Sequence, residues 1–96
     1  MERKLFVGDI VRLTTQYLLG NPIGTKGVVY EEYDLGWGPG ASIIFENGQY
    51  DGFGFDEQFM VEKIGHEAVL GYYKFKNVMQ LDRDFDNGLF NDVFKK

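Results

Sequence analysis

The sequence predicts a mainly β protein, a small five-stranded barrel with an added C-terminal strand and helix. Apolar residues alternate from position 5 to 14, glycine-rich connections recur, and an Asn47-Gly48 pair separates two apolar runs. Alternation places every second side chain on one face of a strand. Asn-Gly is a strong hairpin signal because a type I′ turn needs positive φ at both central residues.

Five strands are expected between residues 5 and 64. In the first strand, the odd positions from Leu5 to Leu13 are predicted to face the core. Asn47-Gly48 is predicted to form a two-residue turn between the third and fourth strands, and residues 56–58 a 3₁₀-like turn before the fifth. The predicted strands cover residues 5–14, 26–33, 41–46, 49–55 and 59–64.

The period of the apolar residues changes in the last third of the chain. Residues 68–75 are interpreted as a sixth strand. Beyond them, apolar side chains recur every three or four positions, at Val78, Leu81, Phe85, Leu89 and Val93. This spacing predicts an amphipathic helix, either bent at Gly88 or divided there into two pieces. Its apolar stripe needs cover, from the barrel or from a second copy of the chain.

The 96 residues are enough for one domain, in which residues 1–65 form the barrel and residues 66–96 a strand and helix packed on it. Cysteine is absent, which excludes disulfides and thiolate metal sites. No apolar run approaches the roughly 18 residues of a membrane span, and residues 1–4 lead directly into a strand pattern. We expect a cytoplasmic protein with no membrane partner.

The net charge of −5 is unevenly distributed along the chain. Residues 31–67 contain nine acidic residues and one lysine, a net charge of −8, and the two flanks together carry +3. Acids on strand edges and turns keep a small barrel soluble and its edges unpaired. The alternative is a docking face for a basic partner, and the sequence leaves both interpretations open.

Three segments carry a resemblance to known proteins: Gly8-Asp9-x-Val11-x-Leu13, Gly24-Thr25-x-Gly27-x-Val29, and the strand that ends in Asn47-Gly48. Together they resemble the small SH3-like barrels of bacteria and their phages, and the first half is similar to the KOW motif. The resemblance covers residues 5–64. It implies a five-stranded SH3-like barrel and, for KOW-like members, a place in the ribosome or the transcription machinery. The basic loops of the nucleic-acid-binding members are missing here.

Composition also argues against nucleic-acid binding and catalysis. Nucleic-acid affinity comes mainly from Lys and Arg on phosphates, and residues 31–67 hold one lysine. Ser42, in a predicted strand, and His66, at a strand junction, are the only residues of their types, so a nucleophile and its base have few candidates. Adding Glu67 to His66 gives no recognised metal-ligand spacing. We expect no enzyme, no cofactor and no nucleic-acid partner.

Residues 82–88 place acids at alternate positions, as a calcium-binding loop does. Asn87 stands where that loop needs Gly, and Val93 where it needs a bidentate acid. If the segment is helical, alternate acids point about 200° apart and cannot share an ion. We expect a solvated, acid-rich helix face and no metal site.

Two loops are the best candidates for recognition, residues 20–22 and 36–40. Loops on a rigid scaffold commonly carry function, and these two connections lie close together in SH3-like barrels. Trp37 between glycines supplies a large apolar anchor, and Tyr17, Tyr33 and Tyr50 extend the patch. The alternative is that Trp37 folds back and plugs one end of the barrel.

The sequence thus favours a non-catalytic protein-interaction or regulatory module, whose acidic barrel face docks a protein partner, a basic protein being one candidate. The chain is expected to be a monomer, or a homodimer formed through the C-terminal helix. The alternative function is a KOW-like accessory of the ribosome or the transcription machinery that binds RNA or ribonucleoprotein.

Overall fold

One antiparallel sheet of five strands organises the chain. The computed structural model describes residues 2–15, 21–34 and 36–95. The strands are β1 (Asp9–Leu13), β2 (Lys26–Asp34), β3 (Pro39–Phe45), β4 (Tyr50–Phe53) and β5 (Val61–His66), in the spatial order β4-β3-β2-β1-β5. The described residues also form two 3₁₀-helices, Phe55–Met60 and Leu70–Tyr72, and two α-helices, α1 (Val78–Asp86) and α2 (Asn91–Phe94). The predicted mainly β class is confirmed.

One side of the sheet forms the inner core. The predicted orientation of the first strand is confirmed for Val11 and Leu13, which are buried there, but the strand begins at Asp9 and not at Leu5. Leu5 and Val7 contribute to the same core ahead of the strand, where Asp9 N donates to Phe6 O in a turn and Gly8 has a φ of +95°. Within β1, Val11 and Leu13 occupy alternate positions, which is the period of a pleated strand. The inner core consists of Leu5, Val11, Leu13, Val29, Ala41, Ile43, Phe45 and Phe53.

The opposite side of the sheet is also buried, under the C-terminal segment. This outer core consists of Ile10, Val28, Tyr30, Ile44, Leu70, Leu81, Phe90 and Val93. Because both sides are covered, every residue of β3 is buried. A strand buried on both faces loses the alternation of polar and apolar residues. The sheet of the same chain therefore covers Leu81 and Val93 of the apolar stripe and part of Phe85, while Val78 and Leu89 stay exposed.

Residues 68–75 form no strand, contrary to the sequence prediction. They contain a 3₁₀-helix, and some of their apolar side chains pack on the sheet, while Val69 and Tyr72 are exposed. Leu70 lies in the outer core, and Tyr73 and Phe75 pack against it. The rings of Phe75 and Tyr30 meet edge to face, with centroids 5.0 Å apart. Strand-like composition suits a segment packed across a sheet equally well, since β-propensity mainly reflects side-chain packing.

Four residues separate β3 from β4, and the pairing of Phe45 with Gln49 closes a three-residue loop in place of the predicted two-residue Asn47-Gly48 turn. Phe45 N donates to Gln49 O at 2.7 Å, and Gly48 N donates to Phe45 O at 2.8 Å. Gly48 has a φ of +89°. A three-residue loop with glycine in the left-handed region is the next commonest hairpin type. The Asn-Gly pair therefore marks the hairpin but does not fix its length.

The amphipathic segment is divided at Gly88, one of the two predicted outcomes. Helix α1 begins after Asn77, whose side chain accepts a hydrogen bond from Gln80 N at 2.8 Å. It is followed by Gly88, with a φ of +86°. In the segment compared with a calcium loop, residues 82–86 lie in α1, and Asp84 among them accepts a hydrogen bond from Tyr73 Oη at 2.7 Å. No helix within the described residues is long and apolar enough to cross a membrane.

A β-bulge in β2 shifts its pairing with β3. Val29 pairs with Ile43, and the next pair is Glu31 with Ser42, so Tyr30 has no residue opposite it. One extra residue in a strand bends it and increases its twist. Tyr30 itself points into the outer core.

After the bulge, each remaining residue of β2 points to the side of the sheet opposite to the one it would face in an uninterrupted strand. Glu31 faces the outer side together with Ser42, and Tyr33 follows on the same side two residues later. Glu32 is opposite the inner-core residue Ala41 and therefore points to the inner side. Without the extra residue, the acids and the tyrosine of this strand would occupy the reverse positions.

Truncation of Phe90 tests the packing of the C-terminal segment. Phe90 is 1% exposed, so Phe90→Ala leaves a cavity in the outer core and should lower the free energy of unfolding by about 3–5 kcal/mol. Leu89→Ala is the matched control, because Leu89 is 46% exposed and should change the free energy by less than about 1 kcal/mol. Urea denaturation measures both. Equal effects would contradict this arrangement of the C-terminal segment.

The tyrosines of the outer core predict a loss of stability at high pH. Burial raises the pKa of Tyr30 from 10.0 to about 12, opposed by a hydrogen bond with Ser42 and assisted by the charge of Glu31. The unfolded chain loses this proton near pH 10 while the folded chain keeps it, so the contribution of Tyr30 to stability is complete below pH 10 and is lost as pH rises toward 12. Tyr73 acts in the same direction, through burial and its bond to Asp84.

Urea denaturation between pH 9 and pH 12 measures this loss of stability. Lysines also titrate in this range, so tyrosine variants are needed to identify the part of the loss that is due to Tyr30. Tyr30→Phe should show a smaller decline than the natural chain. Tyr72→Phe, at a position that is 84% exposed, should show the same decline as the natural chain. An unchanged decline in Tyr30→Phe would contradict the assignment.

Candidate functional site

The Tyr33 side chain covers the outer side of the sheet where two glycines leave room for it. A Cβ on Gly40 would overlap the Tyr33 ring, and a Cβ on Gly52 would lie 3.0 Å from the Tyr33 hydroxyl oxygen. Arg3 supports this end of the sheet, because its guanidinium donates to the carbonyl oxygens of Tyr33, at 2.9 Å, and Gly40. Tyr33 is thus held on the surface by its neighbours.

Three carboxylates lie near enough to this tyrosine to change its pKa. Burial raises the pKa of Tyr33, and the negative charges of Glu57, Asp51 and Glu31 raise it further. Arg3 has a smaller, opposing effect on the same pKa. Because these acids come from β2, β4 and the 3₁₀-helix between β4 and β5, only the folded sheet brings them together.

Backbone and side-chain bonds hold these acids in place. Glu31 accepts a hydrogen bond from Ser42 Oγ at 3.0 Å, and Glu57 accepts one from Gly54 N at 3.0 Å. The buried Gln58 ties the same 3₁₀-helix to backbone carbonyls of β3 and β4, at 3.0 and 3.2 Å. The carboxylates are therefore positioned before any partner arrives, which reduces the entropy that binding costs.

Tyr50 extends this surface along β4. It is opposite the outer-core residue Ile44, so it points to the outer side, where it is 39% exposed. We define the acidic aromatic face as Glu31, Tyr33, Tyr50, Asp51 and Glu57; Asp51 is opposite the inner-core residue Ile43 and belongs to the face through its charge at the edge strand β4. Aromatic π faces and carboxylates both attract cations. The face is therefore suited to ammonium or guanidinium groups.

Trp37 is 66% exposed, so the interpretation of Trp37 as a plug of the barrel is wrong. It lies on the β2–β3 connection, at the end of the sheet that carries Tyr33. Tyr50 is further away, since its partner Ile44 is four residues, or about 13 Å, along β3 from Gly40. The structure therefore joins Tyr33 to Tyr50 on one face and leaves Trp37 at its end. Tyr17 lies outside the described residues.

The two candidate recognition loops do not adjoin in the part of the chain that the structure describes. Asn21 donates to Gln49 Oε1 at 2.8 Å and accepts from Asn47 Nδ2 at 2.6 Å, beside the β3–β4 connection. Trp37 follows the other end of β2, which has nine residues, or about 25–30 Å. The expected proximity is wrong for these residues because the loops flank opposite ends of one strand.

A second cluster, which the sequence did not indicate, joins Asp9 to His66. The Asp9 side chain is 1% exposed, and its Oδ1 lies 2.7 Å from His66 Nδ1 and 3.3 Å from Lys63 Nζ. Its Oδ2 accepts a hydrogen bond from Phe6 N at 2.9 Å. Asp9 and His66 are 57 positions apart, and the pairing of β1 with β5 places them opposite each other. No local motif could have predicted this contact.

The buried carboxylate fixes the orientation of the His66 ring. When the ring is neutral and Nδ1–H donates to Asp9, Nε2 becomes the hydrogen-bond acceptor. Carboxylates orient metal-binding and catalytic histidines in the same manner. No cluster of three or more potential metal ligands occurs within the described residues. The arrangement here presents a single, oriented acceptor.

The chain matches no protein-family model, and comparisons with curated proteins and with solved structures give no match either. The function is therefore inferred from the chain's own surfaces.

Replacement of Asp9 tests its structural contribution. Asp9→Asn should lower the free energy of unfolding by about 1–3 kcal/mol, because the new amide faces three donors that bonded to the carboxylate. Asp56→Asn makes the same chemical change at an exposed position and should stay within about 0.5 kcal/mol of the natural chain. Urea denaturation at neutral pH compares them. Indistinguishable variants would contradict the role assigned to Asp9.

Proposed function

We propose that this chain is a non-catalytic protein-interaction module whose acidic aromatic face docks a basic segment of a protein partner. The observation that carries the proposal is the position of Tyr33, held over two glycines among the carboxylates of Glu31, Asp51 and Glu57. Tyr50 shares the outer side of the sheet with Glu31 and Tyr33, and Asp51 adds its charge from the edge strand β4, so negative charge and π surface are combined at this edge of the sheet.

Lysine and arginine side chains fit this combination. A cation over a tyrosine ring contributes about 0.5–1 kcal/mol at an exposed site and about 2 kcal/mol when desolvated. Carboxylates add charge-assisted hydrogen bonds to the same cation. Trp37, at the end of the face, offers an exposed aromatic anchor, a residue type that often dominates protein interfaces.

An SH3-like barrel is the scaffold in this proposal. Two features support it: β1 pairs with both β2 and β5, and a 3₁₀-helix connects β4 to β5. In addition, Thr14 N donates to Met60 O at 2.9 Å, which extends the pairing of β1 with β5 by one residue toward this 3₁₀-helix. We place the module in the cytoplasm, where a chain without cysteine needs no disulfides.

RNA is the competing partner, as in KOW-like domains. Its phosphates would meet the carboxylates of the acidic aromatic face, and like charges in contact cost several kcal/mol. Residues 31–67 offer one lysine to offset this repulsion. The described surface therefore favours a basic protein segment over RNA.

Fluorescence anisotropy with three labelled probes tests the proposal: a peptide of alternating arginine and serine, the matching glutamate and serine peptide, and a single-stranded uridine oligonucleotide. Only the arginine peptide should bind, and more weakly as salt increases. The double variant Glu31→Gln/Tyr50→Ala should bind about tenfold more weakly, since an ion pair and a cation–π contact of about 0.5–1 kcal/mol each sum to about 1.4 kcal/mol.

Asp82→Asn is the charge control, because Asp82 is an exposed residue of α1 outside the acidic aromatic face. It should bind the arginine peptide like the natural chain. Tighter binding of the oligonucleotide than of the arginine peptide would favour the RNA-binding alternative. Equal losses in Asp82→Asn and in the double variant would show only a general charge effect and would contradict the proposed face.

A further inference from the structure

A cavity of about 350 Å³ lies beside the Asp9–His66 pair and shares no lining residue with the acidic aromatic face. Its lining includes Phe6, Glu32, His66, Gly71 and Tyr72. These residues come from the chain before β1, from β2, from the end of β5 and from the second 3₁₀-helix. The size falls within the range of pockets that hold small ligands or single side chains.

Two hydrogen-bond acceptors belong to this cavity. Asp9 holds Nδ1 of His66, so the neutral ring offers Nε2. Nε2 lies on the cavity side, since a Cβ on Gly71, another lining residue, would be 3.6 Å from it. The second acceptor is the carboxylate of Glu32, which accepts one hydrogen bond from Val7 N at 2.9 Å and keeps further lone pairs.

Aromatic side chains contribute the apolar part of the lining. Phe6 is 47% exposed and Tyr72 is 84% exposed, both large fractions for rings of this size. Aromatic rings and a carboxylate around one space favour a flat cation, which can place its faces against rings and its N–H groups against acceptors.

The neighbouring cations of the chain are already engaged. Arg3 donates to three backbone carbonyls, and its Nε forms an ion pair with Glu32 Oε1 at 3.7 Å, beyond hydrogen-bond distance. Lys63 pairs with Asp9 at 3.3 Å. Neither residue lines the cavity. The acceptors of Glu32 and His66 are thus left facing a space without a cationic side chain in the described part of the chain.

We propose that this cavity binds a guanidinium group, with the carboxylate of Glu32 as its counterion and Nε2 of His66 as a second acceptor. Guanidinium has five N–H donors in one plane and matches a carboxylate with two parallel bonds. An ammonium group lacks the flat faces and the paired donors. The ligand is an arginine side chain of a partner or a free arginine-like molecule.

Nuclear magnetic resonance titration of the full chain tests the site. The probe is arginine capped by acetyl and methylamide groups, and the control probe is the equally capped citrulline, which keeps the shape but lacks the charge. The arginine probe should shift the signals of Val7, Ala68 and Gly71 and the Nε2 resonance of His66. Citrulline should bind at least about tenfold more weakly, since it forms no charge-assisted bond to Glu32.

Glu32→Gln removes the charge and keeps an oxygen for Val7 N, so it should fold while its affinity for the arginine probe falls about tenfold. Glu62→Gln is the matched control, because Glu62 pairs with Arg12 on the exposed surface of β5 at 2.8 Å and should leave the affinity unchanged. Equal binding of citrulline, unchanged affinity in Glu32→Gln, or shifts at Tyr50 and Gly52 instead of the cavity would each overturn the proposal.

Uncapped arginine distinguishes the two sources of the ligand. If capped and uncapped arginine bind alike, or the capped form binds more tightly, the guanidinium belongs to a polypeptide partner. If only uncapped arginine binds, the ligand is a free small molecule. Both results support the guanidinium site, and absence of binding by both forms overturns it. The acidic aromatic face is tested with different probes and different variants. Failure of the arginine probe to bind this cavity would therefore not decide whether the acidic aromatic face binds a basic segment.

Discussion

The bulge at Tyr30 is the constraint on which both candidate sites depend. One unpaired residue in β2 turns Glu31 and Tyr33 to the outer side of the sheet and Glu32 to the inner side. Tyr33 then covers Gly40 among three carboxylates, while Glu32 reaches the cavity beside His66. Two adjacent acids thus serve different surfaces, because neighbouring residues of a strand point in opposite directions.

Burial on both sides of the sheet gives this bulge a rigid setting. The inner core fixes one side of β2 and β3, and the C-terminal segment covers the other with Leu81, Phe90 and Val93. Tyr30 occupies the junction, since its ring packs against Phe75 and its hydroxyl lies beside the acidic aromatic face. A shift of one residue in this strand would move apolar side chains out of both cores, so packing secures the register.

The two sites use carboxylates in different physical settings. Those of the acidic aromatic face are near the surface, where the reach of a charge is limited by salt. Asp9 is buried, and its charge is balanced by three donors, two of them from β5. Burial of an unpaired carboxylate would be costly, so Asp9 ties the start of β1 to the end of β5 and fixes the ring of His66.

The sequence by itself determined the local structure: five strands, the parity of Val11 and Leu13, a hairpin at Asn47-Gly48, and a helical stripe interrupted at Gly88. These features follow from side-chain period and turn chemistry, which act over a few residues. Of the site residues, Tyr33 and Tyr50 could be identified as candidates from their residue type. That they lie on the same face could not be predicted, because it depends on the bulge at Tyr30. Only the tertiary structure decided the pairing of Asp9 with His66, the exposure of Trp37 and the packing of residues 68–75 over the outer side of the sheet. Each of these depends on which distant segments of the chain come into contact.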